Sequence, residues 1–507
     1  MKLKKTKNAV RNIIFGMIYK IVGIFGPFAV RTAIIYVLGN EYVGLNSLFT
    51  SILSFLSLAE LGVGNALVYS MYKPIAEDDN NTICALLNLY RRLYRYIGLI
   101  ILTVGLILVP FLKYFVKGEV PADMNLYILY LIYLGNTVIS YVMFAYKQSL
   151  LTAFQRSDII SKRSMVLQFL MYVIQIVLLL LFKNYYLYLI WLPFFTIITN
   201  IANSIIVDKM FPQYKCKGEV SVEQKKSISN KVLALFGTKA NSIIMHAADN
   251  IVISAFLGLV IVGKYGNYYY IMNAVCGIMT IVYDSLTAGI GNSLEVDSKE
   301  KITKNFHILT FLNAWMVIFC TTSLLCIYQT FMEVWVKPHN MLGMDVVLLL
   351  IVYFYVYSIR RIILTYKDAA GIWWEDRLRP YVMIIVNLTS NLILVKFIDL
   401  NGVILSTIIS MLISIPWENY TVFKYIFHAS SKQYYCRLLY NTVGCVVICI
   451  ITWWICNFLP SGVVGILIRV VICVIIPNIL FVLLNCKSND FFVSIDFFKE
   501  KLLKYKK

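Results

Sequence analysis

The stretch NIIFGMIYKIVGIFGPFAVRTAIIYVLGNEYVG, Asn12–Gly44, sets how the rest of the chain is read. From Asn12 to Val37 its only charges are Lys20 and Arg31. About twenty apolar residues in a helix cross the hydrocarbon core of a bilayer. The run is longer than the apolar core of a secretory signal, and no small-residue cleavage site precedes the return to polar sequence. It is therefore expected to stay as a membrane helix. Leu38-Gly39, three residues and Val43-Gly44 then close it and open the next apolar run.

Similar runs continue to the far end. Helices are expected near 12–37, 44–70, 96–116, 125–146, 164–182, 186–207 and 232–258. Seven more follow near 266–290, 306–332, 343–365, 380–398, 401–423, 438–459 and 462–484. Two pairs among them are separated only by Lys183–Tyr185 and Asp399–Asn401. The chain is 60% hydrophobic and 14% charged, where soluble domains are near half apolar and a quarter charged. The expected fold is an all-α polytopic membrane protein of about 14 transmembrane helices.

Charge fixes the expected orientation. With the amino terminus (Lys2, Lys4, Lys5, Lys7, Arg11) on the cytoplasmic side, 36 of the 46 lysines and arginines fall there. Six fall outside: Lys113, Lys117, Lys183, Lys264, Lys337 and Lys396. Such a bias is the positive-inside rule. It implies a cytoplasmic (inner) membrane protein with both termini cytoplasmic, and it reads the formal charge of +20 as contact with anionic headgroups rather than nucleic acid. The longest cytoplasmic connections, about Asp208–Lys231 and Lys424–Arg437, are too short to fold alone. An enzyme active site outside the membrane therefore has no place, and no catalytic residue is expected. Eleven cysteines are scattered without CxxC or zinc-type spacing and read as reduced apolar packing residues, with no metal expected.

The motif that closes the first helix recurs. LGNEYVG at Leu38–Gly44 returns as LGLVIVG at Leu257–Gly263, an offset of 219. GVGNAL at Gly62–Leu67 returns as GIGNSL at Gly289–Leu294, an offset of 227. Both copies begin on the same side, which makes them parallel repeats of the kind that transporters rock for alternating access. The expected division is an N-lobe of helices 1–6 (1–219), a C-lobe of helices 7–12 (220–428), and helices 13–14 with a cytoplasmic tail (429–507).

Longer stretches resemble a known family. YVLGNEYVGLNSLFTSILSFLSLAELGVGNALVYSMYKPIAEDD (Tyr36–Asp79) is similar to the start of the polysaccharide transporters. These are the Wzx-like branch of the multidrug/oligosaccharidyl-lipid/polysaccharide exporter superfamily. ADNIVISAFLGLVIVGKYGNYY (Ala248–Tyr269), DAAGIWWEDRLRPYV (Asp368–Val382) and NLTSNLIL (Asn387–Leu394) resemble later parts of it. The resemblance implies a bacterial flippase. It would carry undecaprenyl-diphosphate-linked oligosaccharide from the cytoplasmic to the external leaflet for capsule, O-antigen or exopolysaccharide assembly. A cation-coupled multidrug antiporter is the alternative; those proteins usually have twelve helices. A glycan polymerase would need a large external loop, which the sequence lacks.

A diphosphate crossing the membrane needs cations in a wet cavity, and an ionisable residue within a span is a site candidate by default. Lys20 and Arg31, eleven apart, share one helical face roughly 16 Å apart in height. Pro27 lies between them and is expected to bend the helix. Arg31, Lys20, Lys239 and Asn250 are the substrate-binding candidates, set against snorkelling of the lysines and arginine to the nearest interface. Glu60, Asp249, His246 and Asp284 are candidates for ion coupling or charge pairing. Arg469 reads as an interfacial anchor or a lipid-headgroup contact. No cofactor is expected, and protons, sodium or the membrane potential would drive transport. The expected partners are the lipid-linked oligosaccharide, membrane lipids and other assembly proteins such as a glycan polymerase, around a functional monomer.

Overall fold

Hydrocarbon offers backbone groups no hydrogen-bond partners, so spanning segments must satisfy their own. The computed structural model describes residues 5–496 except Leu61, Glu119 and Asn489. Lys2, Lys4 and the cations of the expected tail beyond 496 lie outside the described residues. All the regular structure described is helical. Twelve helices among the described residues are long and apolar enough to cross a membrane, and Leu126–Val142 with Ala145–Ala153, bent by 43°, makes a thirteenth span. This is a multi-pass membrane protein.

The contacts divide it into two compact units, Met1–Gly266 and Asn267–Lys507. Unit 1 holds α1 (Lys5–Val37), α2 (Asn40–Leu56), α3 (Val63–Ala76), α4 (Asn80–Leu108), α5 (Leu126–Val142), α6 (Gln148–Ala153), α7 (Ser157–Phe182), α8 (Tyr185–Leu189), α9 (Trp191–Met210) and α10 (Val222–Leu257). Helix α11 (Leu259–Val296) begins in unit 1 and continues into unit 2. Unit 2 adds α12 (Lys299–Val336), α13 (Met344–Ile359), α14 (Arg361–Ala370), α15 (Arg379–Val422), α16 (Lys432–Cys456) and α17 (Gly462–Asn485).

The two tight connections are real breaks. Lys183 (φ 51°) ends α7, and Asn184 accepts hydrogen bonds from the N–H groups of Tyr186 and Leu187 to start α8. Within α15, Ile398 (φ −136°) and Asp399 (φ 47°) leave the helical region. The halves then lie side by side: the Asn387 amide donates to Thr407 Oγ1 at 3.0 Å. A helix of 44 residues would be roughly 66 Å long if straight, twice the hydrocarbon thickness. Counting its halves separately brings the spans to the fourteen expected. The buried Asn387 and Asn391 of NLTSNLIL form the polar seam of that hairpin.

One expectation of continuity is corrected by the backbone. The helix expected over 44–70 is interrupted: a 3-10 turn at Ser57–Glu60 and Gly62 (φ 84°) separate α2 from α3. Pro27 lies inside the single helical run of α1.

The repeat becomes physical at its glycines. Gly39 (φ 118°, ψ 174°) and Gly258 (φ 91°, ψ 170°), 219 residues apart, both take an extended backbone with positive φ at the hinge between helices, a region that is essentially open to glycine alone and costs other residues about 1–3 kcal/mol. Close beyond each hinge glycine is another crossing: a Cβ on Gly44 would sit 2.1 Å from the Leu259 carbonyl oxygen, and one on Gly263 2.2 Å from that of Asn40. Leu259 and Asn40 are themselves 219 apart. Each copy of the motif thus packs its glycine on the other copy's first turn, a pseudo-two-fold crossing of α2 and α11. The second echo is one of letters only. Gly62 opens α3 in a left-handed conformation, while Gly289 sits within unbroken α11 with open space around it.

Overpacking a tight contact costs about 1–3 kcal/mol. Gly44→Val and Gly263→Val are therefore each expected to lower the thermal midpoint of the detergent-purified protein. Gly135→Ala, with nothing within 4 Å, should change it little. Equal midpoints for all three would show that the crossing is slack.

Candidate functional site

Seven of the eight candidate residues fall in unit 1. Arg31 and Lys20 are half-buried on α1. The Arg31 guanidinium lies beside Gly266 and Ser47: a Cβ on Gly266 would come within 2.7 Å of Arg31 Nη2 and 3.3 Å of Ser47 Oγ. The missing side chain gives the cation its room. Helix α10 packs on α2 and α3 and carries the half-buried Lys239, the exposed His246 and the buried Asp249 and Asn250. Asn250 donates to Ser51 Oγ on α2 at 3.0 Å. That bond anchors α10 and uses one of the two N–H donors of the amide.

Glu60 has a different setting, produced by the break between α2 and α3. Its carboxylate accepts from the Tyr94 hydroxyl at 2.9 Å, and Tyr94 accepts from Tyr90 at 3.1 Å. These groups line a cavity of about 610 Å³ together with Asn65, Tyr141, Gln148 and Asn200. It is a polar pocket of hydroxyls and amides around one acid.

The eighth candidate, Asp284, is exposed on α11 in unit 2 and makes no ion pair among the described residues. The acids that do pair there come from elsewhere. Glu418, fully buried on α15, accepts from Arg360 and, at 2.7 Å, from Arg379. Arg379 also donates to Asp376 at 2.9 Å, and Asp376 accepts from Lys367 at 2.6 Å. Five buried charges form one alternating chain that joins the end of α13, α14, the connection after it and both ends of α15.

The positive-inside count treats Arg360, Lys367 and Arg379 as headgroup-facing cations, and here the structure corrects it. They neutralise acids inside the protein because an unpaired buried charge costs more than the pair returns. The sequence reading also passed over Glu418, although an acid within the expected span 401–423 is the signal that could have found it. The partners of Asp376 and Arg379, in the DAAGIWWEDRLRPYV stretch, were not legible, because no local spacing joins them to residues 360 and 418.

Arg361 stands outside this chain of pairs. Its guanidinium centre lies 5.5 Å from the Tyr283 ring centroid and 6.0 Å from that of Tyr357. Asn313 holds this corner: it accepts from the Tyr283 hydroxyl at 2.6 Å and donates to the Ile359 carbonyl at 3.3 Å. Arg361 makes no ion pair among the described residues, and its buried Nε has no hydrogen-bond partner there. Cation–π contact stabilises such a group without neutralising it. The sequence reading passed over Arg361 because it placed it with the interfacial charges.

Arg469 is not an interfacial anchor. It is buried and donates to the carbonyls of Cys456, Leu459 and Pro460 at 3.2, 3.2 and 2.7 Å, closing the end of α16 from α17. Carbonyls orphaned at a helix end inside the protein need such a donor.

Breaking a buried ion pair by removing one partner costs about 3–5 kcal/mol. Glu418→Gln should therefore strongly destabilise the purified protein in thermal unfolding, while Lys301→Ala, which breaks the exposed pair with Asp297, should leave the midpoint unchanged. A Glu418→Gln protein as stable as the parent would mean that the network holds nothing together.

Comparison by sequence finds no matching family model and no matching curated relative. Comparison of folds does. The lipid II flippase MurJ in an inward closed conformation matches with a TM-score of 0.62 at 12% identity, over 92% of this chain and 99% of that one. An inward-facing multidrug resistance MATE family transporter of the MOP superfamily matches with a TM-score of 0.58 at 13% identity, over 82% and 98%. A point mutant of the Vibrio cholerae MATE transporter VcmN matches with a TM-score of 0.53 at 12% identity, over 84% and 99%. The chain has the all-α polytopic fold of the MOP superfamily transporters.

Proposed function

We propose that the protein is a flippase for an isoprenoid-diphosphate-linked oligosaccharide, carrying it from the cytoplasmic to the external leaflet by alternating access. The observation that carries this reading is Arg361, a guanidinium in the Met344–Ala370 span, held on two tyrosine faces and in no ion pair among the described residues. Arginine presents a fork of donors that matches a phosphate. In unit 1, Lys20, Arg31 and Lys239 outnumber Glu60 and Asp249, which also suits an anionic cargo.

The lipid would ride outside the polar path. An apolar cleft of about 380 Å³ in unit 2 runs between α11, α12 and α17, where Ile271, Phe319, Ile327, Phe331 and Val474 line it. Helix α17 belongs to the pair added after the expected twelve, and the cleft suits an isoprenoid chain. The charge asymmetry of the sequence supports a cytoplasmic amino terminus and an inner-membrane location. The resemblance of Tyr36–Asp79 to polysaccharide transporters supports an undecaprenyl diphosphate carrier.

A cation-coupled antiporter of amphiphilic drugs is the second reading, favoured by the Glu60 pocket. One acid among tyrosines is what binding and release of a proton against a cationic drug would need.

The test is mass spectrometry of lipid-linked glycans in cells depleted of the protein and complemented with variants. Depletion should build up a complete diphosphate-linked oligosaccharide and remove surface polymer. Arg361→Ala, expressed at parental level, should restore neither, and Arg361→Lys should restore both in part. If depletion leaves pool and polymer unchanged, the flippase reading fails. Dye efflux lost in Glu60→Gln would then establish the antiporter.

A further inference from the structure

Three cysteines far apart in sequence converge where α12, α16 and α17 meet. The Sγ atoms of Cys326, Cys456 and Cys473 all lie within 4.8 Å of one another. Each residue is at most 6% exposed, and Ile327, Leu459 and Ile472 pack around them. Spacings of 130 and 17 residues hide the cluster from any sequence motif. Other buried thiols on α16 show the contrast: Cys449 meets the Thr322 hydroxyl at 3.3 Å, an ordinary polar contact between packed helices.

We propose that Cys326, Cys456 and Cys473 form a binding site for a soft divalent cation, zinc, in addition to the transport site. Zinc bonds thiolate sulfur at about 2.3 Å, so three sulfurs on a tetrahedron stand about 3.8 Å apart. The cluster therefore needs to contract by about 1 Å at most.

Charge selects the ion. Three thiols give up three protons as three Zn–S bonds form, leaving a complex of charge −1. The buried Arg469 guanidinium, donating to the Cys456 carbonyl at 3.2 Å, supplies +1. Zinc with this arginine is neutral overall, whereas a monovalent soft ion in the same three thiolates leaves a net negative charge where burial is costly. Cys473 also lines the apolar cleft together with Ser323. The Ser323 hydroxyl donates to the Phe319 carbonyl at 2.8 Å, which keeps its oxygen lone pairs available for the fourth position. The site fastens α16 and α17 to α12.

Full-length protein, stripped with a chelator and kept reduced, is titrated with zinc and, as a coloured substitute, with cobalt(II). One ion per chain is expected, with sulfur-to-cobalt charge-transfer bands and a stoichiometry that falls as pH is lowered. Cys473→Ser should weaken zinc at least about a hundredfold, beyond the 10–100-fold typical of losing an outer-shell partner, and Cys445→Ser should bind as the parent does. The parent protein supplies a second measurement that does not depend on the folding of Cys473→Ser. Zinc should slow alkylation of Cys326, Cys456 and Cys473 together, read peptide by peptide, and leave Cys449 unaffected. Absence of stoichiometric metal, equal loss in Cys445→Ser, alkylation indifferent to zinc, or a disulfide within the cluster of the native protein would each overturn the proposal.

Discussion

A charge carried into hydrocarbon must be neutralised there or be held for a ligand, and that constraint organises this molecule. Three of its buried acids, Asp158, Asp376 and Glu418, are each caught by more than one donor. In unit 1, Asp158 is 2% exposed and pairs with Arg11 and Arg156, both at 3.0 Å. The Asp158 N–H donates to Asn12 Oδ1 at 2.7 Å, and the Asn12 amide donates to the Gln155 carbonyl at 3.2 Å. These bonds lock the start of α1 to the start of α7. In unit 2, Glu418 performs the same task between α13 and α15. Each unit thus has a polar clasp near the ends of its helices, and apolar packing fills the rest.

Where no charge is present, close approach of backbones does the joining. Lipid tails are as apolar as leucine, so helices in a membrane gain by letting their backbones meet. The reciprocal crossing of Gly44 on Leu259 and Gly263 on Asn40 is such a joint. It also explains why the motif repeats as a unit. The first glycine supplies the turn and the second the contact, so neither is useful without the other. The GVGNAL and GIGNSL pair lacks that coupling, and its two copies adopt different backbones.

Hydropathy revealed the spans because each is a local property of about twenty residues. Even the short breaks at Lys183 and Asp399 were visible as lone polar interruptions. The break at Ser57–Glu60 was not, because it lies within an apolar run and is completed by Gly62 in a left-handed conformation (φ 84°), one glycine among several in such runs. The candidate residues could be named only one at a time: Asp249 and Asn250 are buried and Arg31 half-buried in unit 1. Pairing was not legible. The ladder from Lys367 to Arg360 and the three-cysteine cluster join residues whose separation in sequence says nothing of their distance in space.

Arg360 and Arg361 show how one fold gives adjacent identical residues opposite roles. Helix α13 ends at Ile359 and α14 starts at Arg361, so the chain turns between them. Asn313 fastens that turn through the Ile359 carbonyl. Arg360 is thereby directed to Glu418, which has already accepted from Arg379. The carboxylate's two oxygens are engaged by two guanidiniums and the Ser414 hydroxyl, and it has little capacity for a third cation. Arg361 is left to the tyrosines. A group whose charge is spent inside the protein gains nothing from a passing phosphate, whereas one supported only by ring faces gains a full ion pair. The same clasp that stabilises unit 2 therefore leaves Arg361 without an ion pair among the described residues, and this is the physical basis for proposing Arg360 for architecture and Arg361 for cargo.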